Sequence, residues 1–206
     1  MTLMNLTMHE FAARTASDQA VPGGGCVAAL AGSLAAALTE MVTAFTIGRP
    51  RYAAVEAGLK EVAQEAAAIR ERLAAAVDRD AAAYEAVLAA YRLPKGSENE
   101  KEARRQAIEA AMAGAAKVPL EVAQDARKVL DLAAVAVRDG NPNTVTDALV
   151  AALMARSAVL GAVYNVRINL ANLADNAFVA QTNEIVDRLA SQAEVVERQI
   201  RESATL

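Results

Sequence analysis

Three consecutive glycines, Gly23, Gly24 and Gly25, stand between Val21-Pro22 and Cys26. The run from Val27 to Leu38 that follows is almost wholly Ala, Leu, Val, Gly and Ser. No other stretch restricts the fold so strongly. A glycine triplet gives up backbone entropy and buries no side chain, so it belongs where the backbone takes positive φ or where another group approaches closely. The small-residue run after it is a helix with little side-chain bulk, against which neighbouring helices pack tightly. Its N-terminus offers free N–H groups and the positive end of a helix dipole to an anion or a polar ligand edge. A tight interhelical turn with small residues for packing explains the same letters equally well. No Gly-Lys-Ser/Thr follows, so the stretch is not a P-loop. No strand precedes it and the G-x-G-x-x-G spacing is missing, so it is not a dinucleotide fingerprint.

About a quarter of the 206 residues are Ala, aromatic residues make up 3%, and Trp is absent. Ala is the best helix former and a poor strand former. The expected fold is therefore all-α, a single helical domain over residues 1–206 in which the helices approach closely. Net charge is -4, which argues against a basic nucleic-acid-binding face. The apolar stretch from 24 to 38 ends at Thr39-Glu40, and neither a membrane span nor a signal peptide is expected. The chain reads as cytoplasmic. One cysteine and one histidine leave no set of ligands for a structural zinc or a di-iron site, so no metal and no tightly bound cofactor are expected.

Six helices are expected. Thr7-Met8-His9-Glu10 has capping-box spacing for a first helix over 5–17. The second runs over 24–47, closed by Thr46-Ile47-Gly48. Arg49 and Arg51 follow, readable as solvated charge or as an anion clamp. A helix over 51–92 carries apolar residues at three- and four-residue intervals from Val55 to Val77. Late in it Asp80 shares a face with Tyr84 and Val87. A mid-helix Asp on such a face needs a reason, unless it is merely an exposed partner in an i,i+4 charge pair. Leu93-Pro94-Lys95-Gly96 ends this helix, and Ser97 to Glu100 is a second capping box. The next helix is expected to kink or restart at Val118-Pro119-Leu120 and to stop at Gly140-Asn141. Asp147 sits in the first turn of a helix over 144–171, whose face passes from Ala151 and Met154 to Asn165 and Asn169. Two amides one turn apart in a packed helix either bond across helices or contact a ligand. A last helix covers 175–203.

Pro22-Gly23-Gly24-Gly25, Thr46-Ile47-Gly48, Asp78-x-Asp80, Leu93-Pro94-Lys95, Val118-Pro119-Leu120, Gly140-Asn141, Asp147 and Asn165-Val166-x-Ile168-Asn169 occur in one order. In that order they resemble the cyclodeaminase/methenyltetrahydrofolate cyclohydrolase family over roughly residues 5–200. The resemblance implies an up-and-down bundle of long antiparallel helices, a homodimeric enzyme acting on one-carbon tetrahydrofolates, with Asp80 as the catalytic acid/base. The family often has Ser where this chain has Cys26, for which a buried structural thiol is expected. It also often has Ser-Asp at Thr146-Asp147.

Two reactions share the chemistry that the resemblance implies. A cyclohydrolase adds water to 5,10-methenyltetrahydrofolate and opens it to 10-formyltetrahydrofolate. A cyclodeaminase closes 5-formiminotetrahydrofolate and releases ammonia. Absence of a formiminotransferase domain from the sequence tilts the expectation toward the cyclohydrolase. In either reaction Lys95 would hold a carboxylate or steer protons. Asp147, Asn165 and Asn169 would meet the pterin edge, Asn141 would also bind substrate, Gly23, Gly24 and Gly25 would let the flat ring approach the backbone, and Arg49 and Arg51 would attract the glutamate tail. The competing class is a non-catalytic helical scaffold, in which the small residues would serve packing alone.

Overall fold

The computed structural model describes residues 2–171 and 173–205. It contains six α-helices: α1 (Met8–Thr15), α2 (Gly24–Ala44), α3 (Glu56–Tyr91), α4 (Glu98–Asp139), α5 (Val145–Leu170) and α6 (Asn176–Ser203). No strand occurs among the described residues. Helices α2 to α5 alternate in direction and pack pairwise, and α6 lies against α4 and α5. This is the expected up-and-down bundle. Both predicted capping boxes form: Thr7 with Glu10 on α1 and Ser97 with Glu100 on α4.

Small residues set the helix spacing. A β-carbon on Gly32 of α2 would lie 3.1 Å from Leu73 Cδ1 of α3 and 3.4 Å from Ala158 Cβ of α5. One on Gly161 of α5 would lie 3.2 Å from Ala28 Cβ of α2. The core consequently holds many alanines, with Leu59, Ile69, Leu73 and Leu130 as its larger side chains. Helix α2, and the segment Pro142–Leu170 that includes α5, each reach a mean hydropathy of 1.6, long and apolar enough to cross a membrane by composition alone. Sequence reading singled out only α2 in this respect. Both are central helices of the bundle.

Helix α1 spans only Met8–Thr15 of the expected 5–17, with Leu3–Asn5 a separate 3-10 turn, and α2, α3 and α4 also depart from expectation. Helix α2 ends at Ala44 rather than 47. Thr46 turns its hydroxyl back to Val42 O at 2.8 Å, and Gly48 takes φ +79°, a conformation that favours glycine. Pro50–Tyr52 forms a separate 3-10 turn, so α3 begins at Glu56 instead of 51. Helix α4 runs unbroken through Pro119, where a kink or restart was expected. The reason lies on α5, whose Asn169 supplies the donor that Pro119 lacks. At roughly 1.5 Å per residue α3 and α4 are about 54 and 63 Å long. Their paired ends, near residues 82–109, are mostly exposed.

Candidate active site

Helix α3 crosses the start of α2 so that Asp80 lies directly on the glycine turn. A β-carbon built on Gly25 would fall 2.3 Å from Asp80 Oδ1 and 2.5 Å from Oδ2. None of the three glycines has positive φ. Close approach, rather than an unusual turn, is therefore what Gly25 provides. The N-cap of α2, Gly23, brings no capping side chain. The Cys26 backbone N–H in that first turn meets the Asp80 carboxylate of the neighbouring helix instead. Cys26, fully buried, donates its thiol proton to Asp80 Oδ2 at 3.3 Å.

Burial pushes the Asp80 carboxyl above the usual range, while the Cys26 thiol and its backbone N–H pull it back. Burial, followed by the charge of Asp80, drives the Cys26 thiol up to about 12. The thiol therefore stays protonated at neutral pH and acts as a donor. Asn165 completes this end: its Nδ2 would lie 3.4 Å from a β-carbon on Gly24, and it donates to Gly161 O at 2.8 Å. Asp78, the other carboxylate of the Asp-x-Asp pair, points away and accepts the Leu3 backbone N–H at 2.5 Å.

Asn169 answers a different need. Pro119 has no N–H, so the carbonyl four residues earlier, Ala115 O, loses its helical donor. Asn169 Nδ2 donates to that carbonyl at 3.0 Å. The amide on α5 thus repairs the gap in α4, and α4 continues without a break. Of the two structural readings left open for these amides, the cross-helix bond holds for Asn169.

Other candidates lie far from Asp80 within the chain. Arg49 and Arg51 are exposed beyond the opposite end of α2, about 30 Å along the helix from the glycine turn. Arg51 stacks over the Tyr52 ring at 5.7 Å. Asn141 is nearly buried at that same end. Its backbone N–H donates to Thr46 Oγ1 at 2.9 Å, and its Oδ1 accepts from the Asn143 N–H at 3.1 Å. Two of the sequence motifs, Thr46-Ile47-Gly48 and Gly140-Asn141, are therefore one contact. Asp147 is in the first turn of α5, about 27 Å from Asn165 along the helix. Lys95 is exposed in the α3–α4 turn; α3 alone runs about 16 Å from Asp80 to its last residue. The structure thus joins Gly23, Gly24, Gly25, Asp80 and Asn165, and leaves Arg49, Arg51, Asn141 and Asp147 at the other end.

A groove of about 490 Å³ lies elsewhere, between α3, α4 and α6. Arg72 is paired there with Asp125 and Arg79 with Glu121, while Arg127 lies 2.8 Å from Asp131 and, among the described residues, its buried Nε has no hydrogen-bond partner. Among the described residues no three His, Cys, Asp or Glu side chains converge as a metal site would require.

The family profile described as Formiminotransferase-cyclodeaminase matches residues 7–188. That is most of the chain, and it includes every residue of the Asp80 cluster. The chain belongs to the formiminotransferase-cyclodeaminase family. A relative from Methylorubrum extorquens, a methenyltetrahydrofolate cyclohydrolase, is 37% identical over 97% of this chain and 96% of its own length. The formimidoyltransferase-cyclodeaminase of Rattus norvegicus is 31% identical over 93% of this chain, which spans 36% of that protein. The crystal structure of a formiminotetrahydrofolate cyclodeaminase from Thermotoga maritima superposes with a TM-score of 0.86 at 28% identity, covering 96% and 95% of the two chains.

In this member of the formiminotransferase-cyclodeaminase family, the Asp80 cluster couples one proton-accepting carboxylate to a helix N-terminus and a neighbouring amide. Such a set can move a proton and hold a cationic, flat ligand edge. Sequence reading placed Cys26 correctly in the interior but missed its bond to Asp80. It also missed the link between Pro119 and Asn169. The missing N–H of Pro119 was visible as an unpaired carbonyl at Ala115; the identity of its donor was not.

Proposed function

We propose that this protein is a methenyltetrahydrofolate cyclohydrolase, converting 5,10-methenyltetrahydrofolate and water to 10-formyltetrahydrofolate. The end-to-end match with the Methylorubrum cyclohydrolase carries this reading. Asp80 is its acid/base. The ionised carboxylate takes a proton from the water that adds to the amidinium carbon. It then returns a proton to the ring nitrogen as the carbon–nitrogen bond breaks, and the hydroxyl proton leaves to solvent with formation of the formyl carbonyl. Before addition the same negative charge faces the cationic amidinium. Asn165 meets the pterin edge, and the surface opened by Gly24 and Gly25 receives the ring.

The active form is a homodimer. Helices α2 and α5 lie side by side and share an open apolar face. Val27 and Leu34 on α2 and Phe45 at its C-cap, with Val150, Tyr164 and Ile168 on α5, are each more than a third exposed. A face about 30 Å long and two helices wide offers about 600 Å² per protomer, within reach of a specific interface. A twofold axis lying in that interface and perpendicular to the helices lays the Arg49 and Asp147 end of one protomer toward the Asp80 end of its partner. That arrangement would reunite the two groups of candidates, with Arg49 and Arg51 attracting the glutamate tail.

The test is a spectrophotometric assay of purified protein with 5,10-methenyltetrahydrofolate, following loss of its near-ultraviolet band. Catalysed loss, reduced about a hundredfold or more in Asp80→Asn, is expected. Formation of that band from 5-formiminotetrahydrofolate, with ammonia release and no catalysed loss, would assign the cyclodeaminase reaction instead. The likeness to the Thermotoga structure keeps that second reading specific. Leu34→Arg should convert a dimer to a monomer in sedimentation; a variant that stays dimeric removes the α2/α5 interface.

A further inference from the structure

We infer that the Cys26 thiol is a positioning residue that sets both the orientation and the proton affinity of the Asp80 carboxylate. This rests on Asp80 being the acid/base of the proposed reaction. Among the described residues Asp80 has one side-chain donor, the thiol at 3.3 Å on Oδ2, and Oδ1 has none. The thiol is itself fully buried in the first turn of α2, and the backbone there cannot slide away from Asp80 without opening the α2–α3 packing. The thiol therefore pins Oδ2, and the Cys26 backbone N–H is the carboxylate's other donor.

Chemistry distinguishes this donor from a hydroxyl. A thiol is a weak donor, so it fixes geometry while stabilising the ionised carboxylate only modestly. Burial raises the proton affinity of Asp80 and the Cys26 donors oppose it. The balance leaves a base stronger than an ordinary aspartate, yet still held in one orientation. The opposite arrangement, a thiolate nucleophile activated by a carboxylate, does not fit. The neighbouring charge and the burial both hold the proton on sulfur. The thiol thus contributes a hydrogen bond and takes no part in bond making.

Removing the donor should make Asp80 harder to ionise. In Cys26→Ala the acidic limb of the kcat/KM profile is expected to move up by about 0.5–1 pH unit, the size of one weak hydrogen bond to a charged group. Cys26→Ser restores a donor at this position and should return the limb to the wild-type value or below. The ionisation is also read without turnover, by NMR titration of carboxyl carbons in protein labelled at aspartate. The resonance missing in Asp80→Asn is that of Asp80. It should titrate higher in Cys26→Ala than in wild type. An unmoved Asp80 resonance in folded Cys26→Ala overturns the inference, whatever the enzyme's substrate. Full turnover in Asp80→Asn would instead overturn the acid/base assignment. A lower melting temperature in Cys26→Ala with no change in titration would leave the thiol a packing group only.

Discussion

Gly25→Ala isolates the contact on which the site depends. The added methyl would sit 2.3 Å from Asp80 Oδ1, whereas ordinary contact begins at 3.4 Å. Asp80 must therefore retreat by about 1.1 Å, because the obstacle is a short side chain on one helix facing the backbone of another. A displacement of about 1 Å at a reacting group lowers turnover roughly a hundredfold, or about 2.7 kcal/mol of transition-state stabilisation. Folding should hardly change. Alanine is favoured over glycine inside a helix by about 1 kcal/mol, which offsets the strain of the shift. For a chain of this size 1 kcal/mol moves the melting temperature by about 2–4 °C, so the variant should melt within that range of wild type. The assay is kcat/KM with methenyltetrahydrofolate alongside a thermal melt. Gly58→Ala, near the start of α3 and far from the site, is the control: a β-carbon there meets nothing within 4 Å, and turnover should stay close to wild type. Wild-type activity in Gly25→Ala would refute the reasoning, as would an equal loss in both variants.

Other outcomes follow from the same geometry. Asn169→Ala strands the Ala115 carbonyl and should destabilise the protein by about 1–3 kcal/mol; adding Pro119→Ala, which returns an N–H to that carbonyl, should recover most of the loss in denaturant titration, and no recovery would disprove the pairing. The raised Asp80 pKa means the folded protein holds that proton more tightly than the unfolded chain. Its stabilising contribution is then complete below the ordinary carboxyl value of about 4 and is lost as pH rises through the folded value. Asp80→Asn should accordingly melt higher than wild type at pH 7, with the gap closing toward pH 4; a gap independent of pH contradicts the assignment. Gly32→Val would press on Leu73 and Ala158 and should cost about 1–3 kcal/mol through overpacking, measured by urea unfolding; an unchanged midpoint would show that these helices are not held at their closest approach.

Much of the architecture was legible because it is written in local chemistry. Alanine content, three- and four-residue apolar spacing, and the Thr7–Glu10 and Ser97–Glu100 boxes specify helices by effects confined to a few neighbouring residues. Boundaries failed where a distant residue intervened. The expected break at Pro119 does not occur because Asn169, 50 positions later, supplies the donor that proline lacks. Helix α2 stops three residues early with Thr46 facing Asn141.

The sequence by itself determined that this protein is a bundle of close-packed helices and that Asp80, the glycines and the two amides needed explaining. Side-chain pattern along one helix carries that information. Tertiary structure alone decided which of these groups meet. It set Asp80 rather than Asp78 on Gly25, gave Cys26 to Asp80 as a donor, committed Asn169 to α4, and sent Arg49, Arg51, Asn141 and Asp147 to the far end. Such pairings depend on the crossing points of helices, and those are fixed by contacts such as Gly32 on Leu73 and Gly161 on Ala28, whose partners lie tens of residues or more away in the chain.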